Sequence, residues 1–163
     1  MQLLYRSVAR DEEFAESDLD ILLTALKNNG PKGISGFLWR ARGQFFQALH
    51  GPKEAVAPLM ERIARDERHS GVEILLRESR DPQSPFADWS MGYDYIAEDS
   101  LDLGMDPNGA RPAIDEAKAR QIWEAMVEQA RSQDEWGTHF PYARKRQESL
   151  DAWKERLEMV RQV

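Results

Sequence analysis

The sequence predicts an α+β protein, a ferredoxin-like βαββαβ sandwich with an additional strand. Three observations carry that expectation: strand-like and helical periods alternate in that order, a short Gly-containing link joins the second and third strands, and one more strand candidate follows. Such a unit places both helices on one face of its sheet.

The first strand is Gln2–Val8, where apolar and polar residues alternate. Ser17, with Asp20 three positions on, reads as a helix N-cap, and Leu19, Leu22, Leu23 and Leu26 follow at helical spacing. Asn28-Asn29-Gly30-Pro31 reads as the C-cap of that helix, residues that tolerate left-handed geometry followed by a breaker. Ile34–Arg40 and Gln44–His50 form an antiparallel hairpin around Ala41-Arg42-Gly43. Gly51-Pro52 opens a second helix running to Arg65, with Val56, Leu59, Met60 and Ile63 inward, and Asp66–His69 turns the chain. Val72–Arg77 and Trp89–Tyr95 are the last strand candidates.

Side-chain alternation puts Phe45, Gln47 and Leu49 on one face of the hairpin and Phe37, Trp39, Phe46 and Ala48 on the other. Both faces are apolar, and two helices cover only one. The C-terminal tail is the expected cover for the second, the alternative being a dimer or partner contact. In that tail Ala97–Arg111 is acidic and Gly/Pro-bearing and reads as a linker. Pro112 starts a helix to Gln133 with an apolar stripe of Ala119, Ile122, Trp123, Met126, Val127 and Ala130. Leu150, Trp153, Leu157 and Val160 form the seam of a final helix. The division expected is residues 1–95 as one domain and 96–163 as linker and helical extension.

At 163 residues, 41% hydrophobic, the chain fits one domain plus an extension. Lys+Arg 22 against Asp+Glu 29 leaves a formal charge of -7, which opposes non-specific binding to nucleic acid or anionic membrane. The absence of Cys excludes a disulfide scaffold, a thiolate zinc site, a nucleophilic Cys and any cysteinyl photoadduct. Met1–Phe14 lacks a signal-peptide pattern and no apolar run reaches membrane-span length, so a cytoplasmic chain is expected. No phosphate loop, G-x-S-x-G or H-E-x-x-H occurs, and His50, His69 and His139 lack metal-ligand spacing from one another, so no metal site is expected.

Polar residues at interior positions are more informative. Gln47 sits between Phe45 and Leu49 on the strand face that meets the helices, and a buried amide without partners costs roughly 1–3 kcal/mol. Local backbone or a neighbouring side chain could satisfy it, and so could a bound ligand rich in carbonyl and ring nitrogen. Tyr5 is the neighbour if it points the same way, and its phenol is both a hydrogen-bond donor and oxidisable. Taken alone, Trp89 and Met91 read as core and Arg68-His69 as surface loop.

Five blocks in order then resemble the BLUF family, blue-light sensors that use flavin. They are Leu4-Tyr5-Arg6-Ser7; Asn28-Asn29 with Gly33-Ile34-Ser35-Gly36; Phe45-Phe46-Gln47-Ala48-Leu49-His50-Gly51-Pro52; Arg62-Ile63 with Asp66-Glu67-Arg68-His69; and Trp89-Ser90-Met91. The resemblance covers residues 1–95 and departs at His50, where the family often has Glu. It implies a bound flavin, FAD with FMN or riboflavin as alternatives. Tyr5 is then the electron and proton donor, and Gln47 lies between that phenol and the flavin N5/O4 edge. Asn29 bonds the pyrimidine side, while Asn28, Arg62, Ile63, Asp66, Arg68 and His69 line or support the cofactor. Trp89 and Met91 report the state of Gln47 to the rest of the chain. With no effector domain in view, the expected output is contact with a downstream protein through an oligomer, not catalysis, nucleic-acid binding or membrane binding. Two readings from other classes stand beside it: a small acyl-phosphate hydrolase on the same fold, and a non-catalytic interaction module.

Overall fold

Arg42 and Gly43 both take positive φ, 43° and 74°, the two-residue turn whose twist suits antiparallel neighbours. In the computed structural model this turn joins β2 (Ser35–Ala41) to β3 (Gln44–His50). Residues 1–13, 15–79, 83–86, 91–96, 101–105, 108–132 and 147–161 are described. The other strands are β1 (Gln2–Ala9), β4 (His69–Glu78) and β5 (Gly92–Tyr95), and the helices are α1 (Glu16–Asn29), α2 (Lys53–Ile63), α3 (Glu116–Ser132) and α4 (Leu150–Arg161).

The sheet order is β4-β1-β3-β2-β5, with β3 between β1 and β2 as the split βαβ pattern requires. β1, β3 and β4 pair antiparallel, β2 is antiparallel to β3, and β5 adds in parallel beside β2. Tyr5 stands opposite Gln47 and Leu38 opposite the same Gln47, so the three share a face. Phe37 opposite Ala48 and Trp39 opposite Phe46 occupy the other face, as alternation predicts.

α1 and α2 cover the first face. Leu19, Leu22 and Leu26 of α1 and Val56 and Met60 of α2 are buried there. α3 covers the second, so the tail, rather than a partner, fills the open side. Its buried residues are the predicted stripe Ala119, Ile122, Trp123, Met126, Val127 and Ala130. Burying a side chain such as Ile122 or Met126 contributes on the order of 1.5–3 kcal/mol. Polar contacts fix the placement: Trp39 Nε1 donates to Gln129 Oε1 at 2.6 Å, Arg6 Nη1 to the Pro112 carbonyl at 2.6 Å, and Arg120 to Glu78. Trp123 packs edge-on against Phe86, with ring centroids 5.2 Å apart. On α4 Trp153 is fully buried; Leu150, Leu157 and Val160 lie outside the described side chains.

Several boundaries differ from expectation for local reasons. α1 begins at Glu16, after Ala15, so Ser17 sits in the first turn and no side chain caps the helix. The left-handed residue after α1 is Gly33, at φ 68°, because a 3-10 turn over Gly30–Lys32 intervenes; Asn29 itself is helical. Pro112 does not start α3: Asp115 caps it, its carboxylate accepting from Lys118 N at 2.8 Å. The acidic linker is anchored at Leu103, which is buried and whose carbonyl accepts from Gln44 Nε2 at 2.5 Å. Ala41 belongs to β2, leaving Arg42-Gly43 alone as the turn. Among the described residues no helix is long and apolar enough to cross a membrane.

Candidate functional site

Between α1 and α2, on the face that carries Gln47, the chain encloses a cleft of about 270 Å³. β1, β2 and β3 form its floor through Tyr5, Leu38, Phe45 and Gln47. Ile21 and Ala25 of α1 and Leu59 and Ile63 of α2 give it apolar walls, and Asn28, Asn29, Arg62, Asp66, Arg68 and His69 supply polar groups. Of the eleven residues singled out from sequence, nine line this one cavity: Tyr5, Asn28, Asn29, Gln47, Arg62, Ile63, Asp66, Arg68 and His69. Met91 is buried just behind Gln47, and Trp89 lies outside the described residues.

At the floor the Tyr5 hydroxyl donates to Gln47 Oε1 at 2.5 Å, and Gln47 Nε2 points at Met91 Sδ, 3.4 Å away. The amide is 4% exposed and thus held by neighbouring side chains instead of local backbone. The register that sets Tyr5 opposite Gln47 creates the contact. Irregularities in the β1–β4 pairing, between Leu4 and Tyr5 and between Arg6 and Val8, bracket this point of the strand. Burial and, after it, the negative charge of Asp66 push the Tyr5 phenol far above its ordinary value, against a smaller opposing pull from Arg68. The phenol therefore stays protonated and available as a donor.

The rim is built by the turn between α2 and β4. Arg68 Nε donates to Asp66 Oδ1 at 2.9 Å and to Oδ2 at 3.1 Å, and the Arg68 backbone N–H donates to Oδ1 at 3.0 Å. These bonds, led by the guanidinium, hold the Asp66 carboxyl below the usual carboxylate range. His69 sets its ring edge-on to Phe45 at 6.2 Å and 6.3 Å from Tyr5, and burial lowers its pKa, which keeps it neutral. Asp66 is then charged at pH values where it would be protonated in the unfolded chain. Its contribution is complete above the ordinary value of 3.8 and is lost as pH falls through its lower folded-state value. Asp66→Asn should lower stability at pH 7 by about 0.5–1 kcal/mol, since the pair is partly solvated. The gap to wild type should close as the solution is acidified below that range, which thermal melts at both pH values will read.

Asn29 is 2% exposed and lines the cleft, yet among the described residues no side chain or backbone group bonds its amide. An unpartnered amide on the wall, a phenol and an amide on the floor, and apolar sides fit a planar heteroaromatic ring with carbonyl and ring-nitrogen edges. Flavin matches that description. Arg62, Asp66 and Arg68 line the same cleft and carry its charge.

Sequence reading missed Arg40 and Asp18. Arg40 is fully buried beneath Phe45, its guanidinium 4.6 Å from the ring centroid; Nε donates to Asp18 Oδ2 of α1 at 3.2 Å and Nη2 to the Asp11 carbonyl at 2.5 Å. The pair lies on the same sheet face as the cleft, beside Phe45, and ties α1 to β2. Only the charge of Arg40 on an otherwise apolar strand signalled it.

Comparison with known proteins agrees with this geometry. The family model described as sensors of blue-light using FAD matches residues 1–92. The blue light- and temperature-regulated antirepressor BluF of Escherichia coli (strain K12) is 34% identical over 74 residues, 45% of this chain and 18% of that protein. The photoactivated adenylate cyclase subunit beta of Euglena gracilis is 44% identical over 52 residues, 32% of this chain and 6% of that protein. The chain thus spans less than a fifth of either relative's length. Among solved structures, the ground state of BlsA superimposes with a TM-score of 0.65 at 31% identity, over 77% of this chain and 86% of that one. A family model spanning more than half of the chain, and a solved relative matched over most of both molecules, place this chain in the BLUF family, the sensors of blue light that use FAD.

Proposed function

We propose that this chain is a blue-light photoreceptor whose switch is the Tyr5–Gln47 pair, and that it signals through its C-terminal helices to a partner protein. The observation that carries the reading is the Tyr5 hydroxyl donating to Gln47 Oε1 at 2.5 Å on the floor of a cleft suited to flavin, with Met91 on the other side of the same amide. Bound flavin, FAD in the cell with FMN or riboflavin sharing the ring, supplies absorption of blue light and an acceptor for one electron.

Tyr5 gives up that electron, and its phenolic proton leaves along the short bond toward Gln47. Both return to Tyr5, so the chain keeps its composition and only the Gln47 amide is left rearranged. The surroundings of Gln47 allow this. A phenol both donates and accepts, so the amide can exchange its carbonyl and NH2 ends at nearly constant shape, giving up only the weak N–H···S contact to Met91. Asn29 orients the pyrimidine edge, Asn28, Arg62, Asp66, Arg68 and His69 hold the rim and tail, and Ile63 packs beside them. Met91, with Trp89, passes the change onward. Residues 1–95 serve as the sensor unit and 96–163 as linker and helical extension. Output is by protein contact from a homo-oligomer, not by catalysis in this chain. An acyl-phosphate hydrolase or a plain interaction module has no use for a buried phenol–amide pair facing an apolar slot.

The test is an absorption spectrum of the purified chain in the dark and under blue light. A flavin spectrum that moves slightly to the red and recovers in darkness is the expected result. A colourless protein that takes up no added FAD would overturn the reading.

A further inference from the structure

We propose that Gln129 is a positioning residue that makes α3 follow strand β5; this rests on the photosensor reading above and assigns the residue through which the tail takes up its signal. Trp39 on β2 and Asp94 on β5 are register partners on the face covered by α3. Gln129 joins both: its Oε1 accepts from Trp39 Nε1 at 2.6 Å, and its Nε2 donates to the Asp94 carboxylate.

The chemistry of these partners separates Gln129 from Gln47. An indole N–H can only donate and a carboxylate can only accept. Reversing the Gln129 amide would set NH2 against N–H and carbonyl against carboxylate, so one orientation alone is satisfied. Gln47 lies between a phenol that accepts either end of the amide and a thioether that holds the NH2 end only weakly; Gln129 lies between two strong groups that tolerate one orientation. A displacement of β5 against β2 therefore cannot be absorbed by Gln129 turning over. It breaks a bond or it carries α3.

Asp94 lies three residues along the chain from Met91, which faces the Gln47 NH2. A rearranged Gln47 changes its hold on Met91 at the entry to β5, and Asp94 is the point on β5 to which α3 is tied. The other end of the helix is fastened elsewhere, for Arg120 bonds Glu78 on β4, at the opposite edge of the sheet. From residue 120 to 129 the helix rises about 14 Å, which matches the roughly 14 Å of three strand spacings between β4 and β2. α3 thus crosses the sheet with one end on each edge, and movement at β5 swings it about the Arg120–Glu78 contact.

The test uses the full chain loaded with FAD and compares hydrogen–deuterium exchange of amides 116–132 in darkness and blue light, with the visible spectrum recorded alongside. Wild type is expected to show the red shift and a light-dependent change in α3 exchange. Gln129→Glu keeps the acceptor for Trp39 but sets a carboxylate against Asp94, so the red shift should survive while the α3 change is lost. Adding Asp94→Asn gives the carboxylate at 129 an amide NH2 to accept from and should restore the change. Gln129→Met removes both bonds without adding charge; it should also lose the change and decides the matter if Gln129→Glu folds poorly. An α3 response of wild-type size in Gln129→Met, or no restoration in the double variant of a folded Gln129→Glu, overturns the coupling and leaves the photosensor reading standing. A wild-type chain without a red shift takes both down.

Discussion

Gln47→Leu and Tyr5→Phe should each keep a bound, yellow flavin and lose the light-induced red shift completely. Either substitution leaves the cleft close to its present shape, so binding survives. What disappears is one half of a 2.5 Å hydrogen bond on which both proton movement and amide rearrangement depend. The same variants carry a stability signature. Tyr5→Phe strands the Gln47 carbonyl and Gln47→Leu strands the phenol, each costing on the order of 1–3 kcal/mol in a buried site. The double variant removes both polar groups and should cost clearly less than the sum, because neither partner is left wanting. Spectra before and during illumination, with urea unfolding of all four proteins in a double-mutant cycle, read both effects. A red shift of wild-type size in either single variant sinks the mechanism.

Asp18→Ala should produce the largest loss of stability. Arg40 and Asp18 are both essentially without solvent exposure, and removing the carboxylate leaves a buried guanidinium whose contacts among the described residues are the Asp11 carbonyl and the face of Phe45. Breaking such a pair from one side costs about 3–5 kcal/mol, a large part of the 5–15 kcal/mol that holds a typical domain together. Replacing both, as Asp18→Leu with Arg40→Met, should recover most of that loss, since an apolar pair of similar volume needs no desolvation. Urea denaturation midpoints decide it, and a loss below about 1 kcal/mol for Asp18→Ala would mean that the guanidinium finds other partners.

Much of this molecule can be read before folding because its informative patterns are local. The period-two alternation of Phe45, Gln47 and Leu49 shows that an amide lies inward, and the stripe from Ala119 to Ala130 shows which side of α3 is buried. The approach of Tyr5 to Gln47 follows once β1 pairs with β3, which the element order implies. Other features depend on which surfaces meet. Nothing near Arg40 in the chain announces Asp18, 22 residues earlier, because their meeting needs α1 laid across β2. Asn28-Asn29 looks like a helix end for the good reason that it is one. That the Asn29 amide turns into a cavity, and that Gly33 takes the left-handed turn instead, is decided by a 3-10 turn no local rule foresaw. Gln129 reads as an ordinary helix position until Trp39 and Asp94 are brought beneath it.

The sheet order also governs when the cleft can exist during folding. The β2–β3 hairpin closes over a two-residue turn, a local event of microseconds. β1 must instead find β3 some 42 residues away and β4 some 70 away, and chain-closure entropy delays such distant pairing. The floor of the cleft spans β1 and β3, and its rim arrives just before β4. A ribosome-bound chain therefore cannot present a finished pocket until the β4 segment has emerged, yet every residue that lines the cleft is made before the second half of the chain.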